Sequence, residues 1–265
     1  MPADALSIDR FQAYFRRLAH EQRQAVPAPP FMVYLHPQED LSFFNYAIPL
    51  EPDPGPPESL GPALAQLRGV FLAAGRSPRF EFLEAYAPRL PAALQAAGFE
   101  EEARQLFMVC TPQDYRPLAL PEGFRAQVVA EPQDVGVFLA ARRQGFALTG
   151  DPDVPPEQAA EFAQAMRRAV MLVAFFGDAP AGTALLDEQH DGLRELNSVS
   201  TRPEFRRRGL AAALSAAAAG LGFEQGAQAV CLTAADENAG RVYARCGFRP
   251  YATMLAYRAG ERSVS

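Results

Sequence analysis

The sequence predicts an α/β (α+β) chain of two related units, and three observations predict it. Its 265 residues exceed the ordinary size of one domain, and 49% of them are apolar, enough for two cores. Strand-like and helix-like stretches alternate through both halves. Shifted by 149 positions, the chain lies on itself without a gap: Gly98-Phe99 falls on Gly247-Phe248, residues 80–84 on 229–233, and 59–74 on 208–223. This is the pattern of a diverged duplication, with 1–118 as the first copy and 119–265 as the second.

In the first copy, Ile8, Phe11, Phe15 and Leu18 recur at helical spacing, so 5–24 is expected as an amphipathic helix laid on a core. Residues 25–30 read as a proline-rich link, 31–35 and 42–48 as strands, and 51–57, with four prolines and a glycine, as a loop. A helix over 59–74, a strand at 80–84, a helix over 87–96 and a strand at 105–111 complete the copy.

The second copy opens with a strand at 124–129 and a helix over 133–146. A Pro/Asp-rich loop, 149–156, leads into a helix over 157–168, where Asp151, Asp153 and Glu157 are placed either to attract a cation or to cap the helix. Residues 170–176 and 182–186 read as a hairpin about Gly177-Asp178. A strand at 196–200, a helix over 207–223, a strand at 229–233 and a helix over 237–245 follow.

Charge and cysteine content narrow the function classes. A net charge of −6 argues against nucleic acid as a partner and suits a cationic one. All 25 basic residues are arginine. Cys110, Cys231 and Cys246 are odd in number and lack a C-x-x-C, which points to reduced thiols and a cytoplasmic protein. No metal is expected, because His20, His36 and His190 have no ligand spacing. The amino terminus is too charged for a signal peptide, and the apolar runs fall short of the ~20 residues of a membrane span.

The stretch that carries chemistry is 195–214. A strand ends at Thr201-Arg202-Pro203-Glu204, and Arg206-Arg207-Arg208-Gly209-Leu210-Ala211 then opens an alanine-rich helix. Unpaired N–H groups of a first helical turn, the positive end of its dipole and flanking guanidinium groups suit a diphosphate, and Gly209 lets the main chain come close. In the first copy this hexapeptide falls on Pro57-Glu58-Ser59-Leu60-Gly61-Pro62, Tyr243 falls on Leu94 and Glu195 on Tyr46. Without the arginines, that half is expected to hold no cofactor.

The order strand, R-x-x-G-x-A, helix, strand, tyrosine-bearing helix and Gly-Phe resembles the GNAT superfamily of acyl-CoA-dependent N-acyltransferases. Val199, Thr201, Arg206 to Ala211, Ala239, Tyr243, Gly247 and Phe248 carry the likeness. The resemblance implies that each unit is a mixed, mostly antiparallel twisted sheet flanked by helices. It also implies acetyl-CoA as acyl donor, held by Val199, Ser200 and Thr201 along the pantetheine arm and by Arg206, Arg207, Arg208, Gly209, Leu210 and Ala211 at the diphosphate. Members often place an asparagine seven residues before the tyrosine; Asp236 stands there, and Asn238, two positions on, is the amide candidate for the cofactor.

Acyl transfer to an amine needs a base, a donor to the carbonyl oxygen and a proton for the leaving thiolate. An alkylammonium of pKa ~10.4 must lose a proton at neutral pH, and Glu195 has the spacing of the glutamate base in histone-acetyltransferase members, or is a solvated edge residue paired with Arg194 or Arg202. Lying four residues before Val199, it is expected on that residue's strand face. The Val199 N–H is the donor the resemblance implies. Tyr243, with a phenol of pKa ~10 against ~8.5 for a thiol, is the acid or sulfur-positioning group, or else a packed helix residue. Cys246, with no histidine nearby in sequence, is expected to be inert. The expectation is an N-acetyltransferase acting by direct attack on an amine, preferably small or amino-acid-like, as a monomer or homodimer. The alternatives are a non-catalytic acyl-CoA sensor or scaffold and a transferase acting on a protein amine.

Overall fold

The structure is a computed structural model that describes residues 6–37, 39–147 and 153–260. In chain order the elements are α1 (Ile8–Gln22), β1 (Gln24–Ala28), β2 (Phe31–Leu35), β3 (Tyr46–Pro49), α2 (Gly61–Ala73), β4 (Arg79–Leu83), α3 (Leu90–Ala96) and β5 (Phe99–Cys110). Then come β6 (Phe124–Val128), α4 (Pro132–Gly145), α5 (Pro156–Ala165), β7 (Val170–Phe176), β8 (Ala179–Leu186) and β9 (Leu193–Thr201). The chain closes with α6 (Leu210–Glu224), β10 (Ala229–Ala234), α7 (Glu237–Ala244) and β11 (Arg249–Ala259).

The repeat is visible element by element. The same shift that superposes the two Gly-Phe pairs carries α1 onto α5, β1 and β2 onto β7 and β8, β3 onto β9, α2 onto α6, β4 onto β10, α3 onto α7 and β5 onto β11. Gly98 and Gly247 both adopt positive φ, +77° and +104°. Strand β6 and helix α4 have no counterpart among the described residues of the first copy.

The chain divides into two compact units, one of residues 1–106 with 252–265 and the other of 107–251, so the boundary runs through β5 and β11. In the amino-terminal unit β1, β2 and β3 pair antiparallel, β3 and β4 parallel, and β4 antiparallel with β11 through Met254↔Leu83 to Arg258↔Arg79. In the carboxy-terminal unit β6, β7, β8 and β9 pair antiparallel in order, and β9 and β10 pair parallel. Both are thus mixed and mostly antiparallel, as expected.

Three local readings are corrected. Residues 24–28, which overlap the link expected at 25–30, form an edge strand: among the described residues β1 pairs only with β2, and an edge tolerates Pro27, which has no N–H to give a second neighbour. Residues 42–44 are a 3₁₀ turn rather than strand. Buried Asn45 fixes this bend: its amide nitrogen donates to the carbonyls of Glu39 and Leu41, and its Oδ1 accepts from the His36 N–H. Finally, α5 carries no side-chain cap; its N-cap is Pro155, and Glu157 sits in the first turn, where a carboxylate favours the dipole. Asp151 lies outside the described residues.

In the carboxy-terminal unit the sheet is covered on both faces. On one, Val135, Phe138 and Leu139 of α4 and Ala159 of α5 pack on Met171, Val173 and Phe175 of β7 and Leu185 of β8. On the other lies α6, whose Leu210, Ala212, Ala213, Leu214, Ala216, Ala218 and Ala219 are all buried. Small residues let this helix sit close to the strands: a Cβ on Gly222 would come 3.0 Å from Leu186 Cδ2 and 3.3 Å from Val230 Cγ2. No helix among the described residues is long and apolar enough to cross a membrane.

Candidate functional site

The ladder between the parallel strands β9 and β10 has only three rungs, Leu193↔Ala229, Arg194↔Val230 and Glu195↔Cys231. Beyond Glu195, β9 runs on to Thr201 and β10 to Ala234 without pairing to each other. The sheet therefore opens at Glu195. Because the strands are parallel, the helices that follow them, α6 and α7, both begin at the open edge.

Inside this opening β9 is irregular. Asn197 pairs with Leu185, but Ser200 pairs with Thr183, so three steps on β9 match two on β8; Ser198 has φ +51°. This is a β-bulge, and it shifts the alternation by one residue. Glu195, Asn197 and Ser200 consequently share the α4 face, whereas Leu196 and Thr201 face α6. The expectation that Glu195 and Val199 share a face through simple alternation is corrected: the extra residue lies between them. Ser200 is buried, its Oγ 2.8 Å from Thr183 Oγ1, and a Cβ on Gly145 at the end of α4 would fall 2.4 Å from that Oγ. Its hydroxyl is engaged within the protein. Thr201 Oγ1 is buried with no hydrogen-bond partner among the described residues. Val199 is half-buried in the bulge.

Glu195 is half-buried at the vertex, and its carbonyl accepts from the Asp187 N–H at 2.8 Å. Asp187, itself buried, accepts a hydrogen bond from Asn197 Nδ2. Arg194 turns its guanidinium to the carbonyls of Asp187 and Leu186 and to Gln225. Arg202 pairs with Glu204 and with the Pro180 carbonyl. Across the ladder, burial pushes the Cys231 thiol up, with the Glu195 carboxylate adding to the effect.

The arginines precede the helix rather than opening it. Helix α6 starts at Leu210, three residues later than the pattern predicts, because Arg207 and Gly209 both take left-handed backbone, φ +62° and +85°. Gly209 is the N-cap, no side chain caps the turn, and the first intrahelical bond runs from the Ala213 N–H to the Gly209 carbonyl. The N–H groups of Leu210, Ala211 and Ala212 have no intrahelical carbonyl to bond. Alternating hand in successive residues also turns main-chain N–H groups toward one concavity, an anion-binding geometry.

The three guanidinium groups have different duties. Arg206 ties the loop down, donating to the carbonyls of Thr201 at 3.1 Å and Gly145 at 2.9 Å. Arg208 lies over the rings of Phe176 and Phe205, 5.4 and 5.8 Å from their centroids. Arg207 is exposed and makes no hydrogen bond or ion pair among the described residues. Leu210 is buried under the helix, and the Ala211 carbonyl accepts from Ser215 Oγ.

Helix α7 packs on β10 and α6. Its N-cap is Asp236, whose carboxylate accepts from the Ala239 N–H at 2.8 Å. The position that holds an asparagine in the resemblance thus serves here as the helix cap. Asn238 is exposed in the first turn, and its Oδ1 accepts from Arg241 at 2.6 Å. Tyr243 packs edge-on against Phe248, with ring centroids 6.2 Å apart, and its hydroxyl has no partner among the described residues. Burial pushes this phenol up to about 12. Cys246 behind it is buried, its thiol raised to about 11 by burial. Gly247 is required by contact: a Cβ there would lie 2.2 Å from the Asp114 carbonyl oxygen.

One cation escapes sequence reasoning. Arg245, from the end of α7, brings its guanidinium to Gly209: a Cβ on that glycine would lie 3.9 Å from Nη2 and 4.0 Å from Nη1. Only the folded packing of α7 on α6 reveals it.

The residues present fit a diphosphate-bearing thioester. Unpaired N–H groups, a left-handed loop and uncommitted Arg207 meet at one edge of an opened ladder, near a buried hydroxyl without a partner at Thr201. The sequence profile of the Acetyltransferase (GNAT) family matches residues 139–248. No curated protein matches the chain. Among solved structures, a GCN5-related N-acetyltransferase from Kribbella flavida is 26% identical, covers 97% of both chains and superposes with a TM-score of 0.80. A GCN5-related N-acetyltransferase from Sphaerobacter thermophilus shares the fold at 19% identity, with 86% of this chain and 76% of that one covered and a TM-score of 0.65. A tandem GNAT protein from the clavulanic acid biosynthesis pathway does so at 17% identity, with 87% and 78% covered and a TM-score of 0.61. Residues 139–248 thus match the GNAT acetyltransferase family, and the amino-terminal half is GNAT-like in fold.

Proposed function

We propose that the protein is an N-acetyltransferase that moves an acetyl group from acetyl-CoA to a primary amine by direct attack, with residues 119–265 as the transferase half and 1–118 as a half without a cofactor site. The observation that carries this reading is the opening of the β9–β10 ladder at Glu195 beside the uncapped start of α6. Acetyl-CoA supplies the activated thioester. Arg207 and the N–H groups of Leu210 to Ala212 hold its diphosphate, with Val199 to Thr201 along its arm and Asn238 near the mouth.

Glu195 takes a proton from the substrate ammonium, freeing the lone pair that attacks the carbonyl carbon; the C–N bond forms, the C–S bond breaks, coenzyme A leaves as the thiolate, and the second proton on nitrogen passes to that thiolate. A main-chain N–H at Val199 hydrogen-bonds the carbonyl oxygen. Tyr243 serves the sulfur. With its phenol at about 12 and a thiol at ~8.5, complete proton transfer to a thiolate is uphill by roughly 5 kcal/mol, so a hydrogen bond that holds and partly neutralises the sulfur is the better-supported role. The buried, raised thiols of Cys246 and Cys231 favour this direct route over an acyl-cysteine one.

The acceptor is a small or amino-acid-like amine, and the protein works as a monomer or homodimer in the cytoplasm. Thiol release from acetyl-CoA across a panel of primary amines tests the proposal. Release that depends on one amine class supports it; cofactor binding with no release for any amine leaves an acyl-CoA sensor instead.

A further inference from the structure

We infer that β6 is a dimerisation edge: two copies of the chain pair antiparallel through Phe124–Val128 about a two-fold axis at Ala126. The inference does not rest on the proposed transferase activity. Among the described residues β6 pairs with β7 alone, from Phe124↔Phe176 to Val128↔Leu172, and stands at the edge of its sheet. That register, with the bond from the Val129 N–H to the Met171 carbonyl, fixes which main-chain groups are used. Bonded pairs alternate along an antiparallel ladder, so Arg125, Gln127 and Val129 turn their N–H and C=O groups to β7. Those of Ala126 and Val128, and the Phe124 carbonyl, point the other way. The Phe124 N–H is used within the chain, on the Pro121 carbonyl at 3.1 Å.

Open edges usually carry a device against pairing, and β1, the edge strand of the amino-terminal unit, has one in Pro27. Strand β6, Phe-Arg-Ala-Gln-Val, has no proline, glycine, lysine or carboxylate. Its one charge is drawn aside: the Arg125 guanidinium lies 4.2 Å from the Phe175 ring centroid and donates to Gln127 Oε1 at 3.0 Å. The strand is also complementary to itself. With Ala126 opposite Ala126 of a second copy, the two exchange N–H and carbonyl bonds across the axis, and each Val128 N–H meets the Phe124 carbonyl of the other copy. These are the groups that β7 leaves open. On one face Phe124 then lies opposite Val128, which is 46% exposed; on the other Arg125 lies opposite Gln127, so the donor–acceptor pair seen within one strand recurs between two. Any extended strand could take the main-chain bonds, but the matched side-chain pairs select a second copy. A strand of 5 residues covers less than a standard interface of ~1,600 Å², so the dimer is weak and concentration-dependent.

Sedimentation velocity of the protein between about 1 µM and about 1 mM tests the inference. The weight-average mass is expected to rise from 28.8 kDa toward twice that value. Ala126→Pro removes the outward N–H at the axis without touching a bond to β7, a change that an edge strand accepts. It is expected to stay at 28.8 kDa over the same range, with an unchanged far-UV circular dichroism spectrum. Oxidation of single-cysteine additions reads the register, because Cys110, Cys231 and Cys246 are buried. Ala126→Cys is expected to give a covalent dimer, its two Cα atoms facing each other at about 5.5 Å. Val128→Cys, roughly 14 Å from its own counterpart, is expected to give none. Should Ala126→Pro lose the native spectrum, the two cysteine variants decide. A monomer at every concentration overturns the inference, as does a dimer that persists in folded Ala126→Pro or that cross-links equally through both cysteines.

Discussion

Glu195 and Cys231 are the last partners of the β9–β10 ladder, and every proposed contact with the acyl donor lies on the open side of that pair. A carboxylate at the vertex of a split sheet is half-buried and next to the point where the acyl group ends if the diphosphate lies at the start of α6. Replacement by glutamine keeps the shape and removes the base. Glu195→Gln should lower turnover by about 10²-fold or more with donor affinity retained, measured by thiol release and by titration calorimetry. Unaltered turnover would remove the base role.

Tyr243 makes a prediction in pH. Its phenol is held at about 12 by burial, above the ~10 of an exposed tyrosine, so the protonated form is bound more tightly by the folded state. The stability this group contributes is complete below pH ~10 and is lost as pH rises toward 12. Thermal melts of Tyr243→Phe should fall less steeply than those of the unaltered protein across that window. Cys246 and Cys110, raised to about 11 and about 12, keep part of the slope in both proteins. At neutral pH, the same change should depress turnover more than donor affinity.

The two copies differ in what substitutions at the start of the corresponding helices, α6 and α2, do. Arg207→Gln with Gly209→Ala removes an uncommitted cation and forces alanine into φ +85°, a strain of ~1–2 kcal/mol, at the start of α6. Donor affinity should fall by about tenfold or more. Glu58→Gln with Gly61→Ala alters the equivalent start of α2, where a Cβ on Gly61 meets nothing within 4 Å, and should leave affinity unchanged. Equal losses in calorimetry would contradict the assignment of a single cofactor site.

Gly247→Ala tests the packing behind the tyrosine. A Cβ would sit 2.2 Å from the Asp114 carbonyl oxygen at φ +104°, and the Arg116 N–H bond to the Cys246 carbonyl would be pushed apart. Destabilisation of about 3 kcal/mol or more is expected in urea unfolding, because neither backbone segment is a flexible end that can yield.

The repeat was legible because it rests on packing residues: Gly98 and Gly247, or the α2 and α6 helices, keep their places while chemistry around them changes. Glycine and arginine at 206–209 marked the anion loop, but not that Arg207 and Gly209 turn left-handed and delay the helix, since side-chain type restricts φ only weakly. The bulge at Ser198 was invisible for the same reason; it moved Val199 off the alternation that starts at Glu195. Proline at 27 hid strand β1 by masking a pairing that needs no N–H on its outer side. Arg245 and Asp187 carry no motif, and their placement comes only from how α7 meets α6 and β8 meets β9.

Titration calorimetry of acetyl-CoA into the 265-residue chain tests the central claim most directly. The account predicts saturable binding with one molecule per chain, held by the half that carries Arg207 and Gly209. No heat of binding, or two equivalent molecules per chain, would contradict it.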